Sequence, residues 1–86
     1  MARRLGRLAA VSLPKLGKPG MYADGGGLYL QVTPSGAKTW IFRFMLHARS
    51  REMGLGPLHT VTLAEAREKA TQCRKLRLEG IDPGVD

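Results

Sequence analysis

Three consecutive glycines, Gly25–Gly27, stand directly before the run LYLQVT and are the first residues whose type and spacing could serve chemistry. A glycine-rich loop cradles phosphate when a helix N-terminus follows it, because free backbone N–H groups and the helix dipole then face the anion. Here a strand pattern follows, so the dinucleotide fingerprint, which needs glycines after a strand and before a helix, is not met. The later stretch PSGAKT imitates a phosphate loop, but Ala37 separates Gly36 from Lys38 and breaks the required G-K-[ST]. The glycines read as a turn or bulge that uses positive φ.

His47, His59 and Cys73 are the good soft or borderline metal ligands. Their spacing matches no zinc motif, and Cys73 falls on the apolar stripe of a helix. No Ser/His/Asp or Cys/His grouping stands out, and the carboxylates cluster where helix capping explains them. No catalytic residue, metal or cofactor is expected.

The positive signal lies on a strand face. Leu28, Leu30 and Val32 alternate with Tyr29, Gln31 and Thr33, and Trp40, Phe42, Phe44 and Leu46 alternate with Thr39, Ile41, Arg43 and Met45. Period two is the signature of a half-buried strand, and the aromatic side faces the core because each ring buries a large area. The opposite face then presents Tyr29, Gln31, Thr33, Thr39, Ile41, Arg43 and Met45. Tyr, Gln, Thr and Arg side chains can hydrogen-bond base edges or phosphates, and Ile41 and Met45 can meet thymine methyl groups. A sheet laid into the major groove is an established mode of DNA reading.

The elements that position this face are legible in turn. Strands are expected over about 27–33, 38–46 and 50–55, with a TPSGAK hairpin turn between the first two and a turn around 47–50 before the third. Gly54 and Gly56 in the third strand suggest a bulge or a close backbone approach. A helix is expected over about 63–79. Thr62 and Glu65 form a capping box, Leu63, Ala66, Ala70, Cys73 and Leu76 make one apolar stripe, Gly80 ends the helix and Pro83 forbids its return. The expected fold is α+β: a three-stranded antiparallel sheet packed on one C-terminal helix, with a basic N-terminal arm over 1–20 that holds a short helical turn near 8–13.

Charge agrees with this. The 86-residue chain carries a net +7. Residues 1–51 hold nine Lys and Arg against the single Asp24, while residues 52–86 hold five bases against six acids, so the excess lies entirely in the first part. A basic surface of this kind suits a polyanion, nucleic acid before membrane. One cysteine excludes an internal disulfide and fits a reducing cytoplasm. The apolar stretch LAAVSL is interrupted by Pro14 and Lys15 and is too short for a signal peptide, and no run reaches the roughly 20 residues of a membrane span.

Four blocks in order, ADGGGLYLQVTPSGAKTWIFRF, REMGLG, TLAEAREKA and EGIDP, resemble the N-terminal arm-type DNA-binding domain of phage and genomic-island tyrosine recombinases, the P4-like integrases. They cover about residues 20–83. The resemblance implies a three-stranded sheet that enters the major groove of double-stranded DNA at arm-type sites, within a longer protein whose nucleophilic tyrosine and its arginine and histidine partners lie beyond Asp86. On that reading residues 21–81 are the domain, 82–86 begin a linker, and this stretch alone neither cuts nor joins DNA. Family members often carry arginine at several of the outward positions 41, 43 and 45, of which only Arg43 keeps it, and a glycine-rich tip where this chain has His47–Ala48. Phosphate contacts are accordingly expected from Lys38, Arg49, Arg51 and the arm, with His47 at the tip, and sequence preference from Arg43, Gln31 and Tyr29. The alternative is a protein-interaction module that contacts another recombinase protomer or a directionality factor. A double-stranded RNA binder, which reads shape and 2′-hydroxyls, is a third reading without a positive sign in the chain.

Overall fold

The structure, a computed structural model, describes residues 8–82. The first part of the expected arm, with Arg3, Arg4 and Arg7, and most of the expected linker, residues 83–86, lie outside the described residues. The chain forms a 3-10 turn at Ala10–Lys15, then strands β1 (Gly20–Gly25), β2 (Leu28–Val32), β3 (Lys38–Leu46) and β4 (Arg49–Pro57), and helix α1 (Leu63–Leu78). The four strands pair antiparallel in the order β1-β2-β3-β4.

The expected count of three strands is corrected to four. The added strand, GMYADG, has a glycine at each end and no alternating apolar run, so its sequence carries almost no strand propensity. Its context makes it a strand. Gly25, Gly26 and Gly27 take φ of 113°, 62° and 93°, reversing the chain so that β1 lies along β2 from Gly20 opposite Val32 to Ala23 opposite Tyr29. The turn also requires glycine for space. A Cβ on Gly27 would stand 2.6 Å from the carbonyl oxygen of Arg43, because the Gly27 carbonyl accepts the Arg43 N–H at 2.8 Å. The glycines thus form a hairpin turn pressed against β3, as their position before a strand predicts.

The segment before β1 packs on the domain. Leu13, inside the 3-10 turn, is buried with the core, and Leu8 and Leu16 pack against it. The described part of the arm is therefore tied to the domain, with its helical turn slightly later than expected.

The core forms between the sheet and α1. Leu28, Leu30, Val32, Trp40, Phe42 and Phe44 meet Leu63, Ala66, Ala70 and Cys73 of the helix. The small Ala66 and Ala70 let the helix lie close across β2 and β3, and full burial of each Leu or Phe stabilises the fold by about 1.5–3 kcal/mol. Trp40 is fully buried, and its Nε1–H donates to the Val61 carbonyl at 2.7 Å, which pins the loop between β4 and α1. The pairing of β3 with β4 slips by one residue between Trp40 and Ile41, the bulge that Gly54 and Gly56 suggest. Gly56 there has φ 124°, and a Cβ would strike Val61 Cγ2 at 2.6 Å.

Helix α1 begins on its capping box: Thr62 Oγ1 accepts from the Glu65 N–H, and a Glu65 carboxylate oxygen accepts from the Thr62 N–H. It ends with Gly80 at φ 79°, the Gly80 and Ile81 N–H groups donating back to the Arg77 and Leu76 carbonyls, a Schellman closure.

Candidate nucleic-acid interface

Directly paired residues of antiparallel strands project to one side of a sheet, so the register fixes which residues share the face opposite α1. Tyr29 pairs with Ile41, Gln31 with Thr39, Arg43 with Glu52 and Met45 with Ser50. Six expected residues, Tyr29, Gln31, Thr39, Ile41, Arg43 and Met45, therefore come together on the helix-free face. Met21 and Ala23 of β1 extend it on one side, and Ser50, Glu52 and Gly54 of β4 on the other.

The remaining expected residues lie elsewhere. Thr33 follows β2 directly, and its Oγ1 is engaged in the hairpin turn, accepting the Ala37 N–H at 3.1 Å and sharing a hydrogen bond with Ser35 Oγ at 2.9 Å. Lys38 pairs with Val32, Arg49 with Leu46 and Arg51 with Phe44, so these three bases start from the core-side register at the margins of the sheet. Arg51 lies 3.8 Å from Asp82. His47 is exposed at the tip of the β3–β4 hairpin. His59 is also exposed, and Cys73 is buried with its Sγ donating to Met53 Sδ at 3.9 Å; burial pushes the Cys73 thiol up, away from reactivity at neutral pH. Among the described residues no three His, Cys, Asp or Glu side chains gather around one point.

The far ends of β3 and β4 run past the end of β2, whose Leu28 pairs with Phe42, and form a two-stranded ribbon from about 44 to 51. Helix α1 braces it from behind. Arg77 Nη2 donates to the Met45 carbonyl at 2.7 Å, and the Arg77 guanidinium sits 5.6 Å from the centre of the Phe44 ring, which stacks on Phe42. The major groove admits a two-stranded ribbon. The face it would present is almost uncharged. Its one base, Arg43, donates Nε and Nη2 to Glu52 Oε2 at 3.0 and 2.6 Å and lies 5.3 Å over the Tyr29 ring. Hydrogen bonding and the charge of Glu52 raise the Arg43 pKa further.

Glu52 is the charged residue of this face that sequence reasoning missed. The signal was the hairpin itself. A two-residue turn at His47–Ala48 sets Arg43 opposite Glu52, whereas a turn spread over 47–50 leaves the register undefined.

Comparison with known proteins decides the family. A model described as arm DNA-binding domain matches residues 4–86. The chain belongs to the arm DNA-binding domain family. This arm domain is 45% identical over 65 residues to the integrase of Enterobacteria phage P4, a match that covers 73% of the chain and 15% of that integrase. It is 42% identical over 66 residues to the integrase of Shigella phage Sf6 and, equally, to prophage integrase IntS of Escherichia coli K12, covering 77% of the chain and 17% of each relative. The chain thus spans about a sixth of the length of these relatives, and what it shares with them is the arm domain, not the catalytic domain. The description of the family names DNA as what such a domain binds. No helix among the described residues is long and apolar enough to cross a membrane.

Proposed function

We propose that this arm domain lays its helix-free sheet face and the β3–β4 ribbon into the major groove of arm-type sites, and so positions a site-specific integrase during DNA integration and recombination in the bacterial cytoplasm. The observation that carries the reading is the placement of Tyr29, Gln31, Thr39, Ile41, Arg43 and Met45 on one open face that continues into a ribbon narrow enough for the groove. Residues on that face would meet base edges. The marginal bases Lys38, Arg49 and Arg51, the tip residue His47 and the arm would meet the phosphates on either side, supplying affinity but little sequence information. The nucleophilic tyrosine of the parent recombinase and its partners belong to another part of that protein, so the arm domain sets where the enzyme acts and leaves the chemistry elsewhere.

A second reading has its own observation. Met45 is 57% exposed and shares the face with Ile41, and exposed apolar side chains on a sheet suit a protein contact, such as another recombinase protomer or a directionality factor. Concentration-dependent self-association without DNA would favour it.

The test is a binding titration against duplex from the ends of the integrating element and against an unrelated duplex, at several salt concentrations. Preference for the end sequence, with log affinity falling linearly in log salt, is the expected result. Equal, weak and salt-sensitive binding to both would reject sequence-directed arm-site recognition.

A further inference from the structure

Glu52 puts a full negative charge on a surface meant for a polyanion, and this calls for a physical reason. It sits on the open face, directly across the ladder from Arg43. The carboxylate is about as exposed as the guanidinium, so neither group is there to be buried. The hydrogen bonds between them use Arg43 Nε and Nη2 but only one carboxylate oxygen, Oε2. Nη1 and Oε1 take no part in the pair. The unit therefore presents a donor edge and an acceptor side by side, on the β3–β4 side of the face.

In the major groove a G·C pair shows two acceptors, guanine N7 and O6, beside one donor, the cytosine N4 amino group. An arginine matches the first and a glutamate the second. We infer that Glu52 is a specificity-determining residue, which accepts from a cytosine amino group beside the guanine that Arg43 reads and repels any register that brings a backbone phosphate against the face. This rests on the major-groove reading above. An unpaired Arg43 would bind phosphate anywhere along a duplex. Glu52 neutralises it on non-specific DNA, and the pair is satisfied only where base edges offer both partners. The same logic explains why the bases set for phosphate, Arg49 and Arg51, leave from the other register of β4.

The experiment is selection of binding sites from a randomised duplex pool by the wild-type chain, Glu52→Gln and Glu52→Asp, followed by salt titrations of each on the selected duplex and an unrelated one. Thermal unfolding of all three serves as the folding control. Glutamine is nearly isosteric with glutamate but brings an amide donor and no charge. The wild type should select a G·C pair at one position and discriminate there by about tenfold. Glu52→Gln should lose that preference, bind the unrelated duplex several-fold more tightly and steepen its log–log salt slope by about one. Glu52→Asp should retain part of the preference. A Glu52→Gln variant that keeps the G·C preference, or that weakens binding to every duplex equally, would overturn the inference while leaving the groove reading intact. A wild type that selects no sequence at all would overturn both.

Discussion

Asp24 is the one charged side chain taken out of solvent among the described residues, at 2% exposure. Its Oδ1 accepts the Leu8 N–H at 2.8 Å and Arg67 Nη2 at 3.0 Å, its Oδ2 accepts Arg67 Nε at 3.0 Å, and Arg67 also donates to the Leu8 carbonyl. Burial alone would push the carboxyl up, but these bonds and the charges of Arg67 and Arg74 together hold it below its ordinary value of 3.8. A carboxyl with a lowered folded pKa contributes stability that is complete above the unfolded value and is lost as pH falls through the folded one, since the unfolded chain then binds more protons. Stability should therefore decline as pH drops below about 4. Asp24→Asn should flatten that acid limb and cost about 1–2 kcal/mol at neutral pH, because buried donors lose their charged partner. Denaturant unfolding of both forms across the acid range measures this. Asp24 was legible in the sequence only as the lone acid in a basic half. Its partners lie 16 and 43 residues away, and no local pattern announces such a clamp.

Among the elements, the β3–β4 hairpin is the one whose local chemistry fits its conformation least. His47 and Ala48 both take positive φ, 50° and 62°, between the paired Leu46 and Arg49, the two-residue loop that right-twisted strands prefer. Glycine or asparagine suits such a loop, and a β-carbon in the left-handed region costs about 1–2 kcal/mol. Ala48→Gly should thus raise stability by about 0.5–1 kcal/mol after glycine's extra unfolded-state entropy is subtracted. In a domain of this size that is a rise of roughly 3–6 °C in melting temperature, which a thermal melt would show. The strength of local signals explains which elements the sequence revealed. Helix α1 was readable to within a residue at its end, since Thr62, Glu65 and Gly80 mark both ends and the apolar stripe fills the middle. β2 and β3 were readable from their alternation. β1 was not, because GMYADG becomes a strand only when the glycine turn folds it against β2, with Tyr22 packing on the core. The face was legible as a set of β2 and β3 residues, whereas Glu52 depended on a register that only the tight turn defines.

Across the whole molecule, the open sheet face and the excess of positive charge occupy different places. The sheet face carries the paired Arg43 and Glu52, and the excess of positive charge belongs to residues 1–51, in the arm and at the margins of the sheet. Neutralising Arg49 and Arg51 together should reduce the log–log salt slope of DNA binding by about two, one for each phosphate that no longer meets a cation. Neutralising Lys69 and Lys75, both exposed on the helix, should leave that slope unchanged. Salt titrations of the two double variants compare these directly. The same separation of layers has an optical consequence. Trp40 is the chain's one tryptophan, sealed behind the sheet with its indole N–H held by Val61. Its emission should be blue-shifted and shielded from aqueous quenchers, and it should report the integrity of the core. Tyr29 stands on the opposite, helix-free side, the face proposed to meet base edges. Duplex DNA should therefore alter the tyrosine signal while leaving the tryptophan spectrum unmoved, so that a single cuvette separates loss of binding from loss of fold for every variant named above.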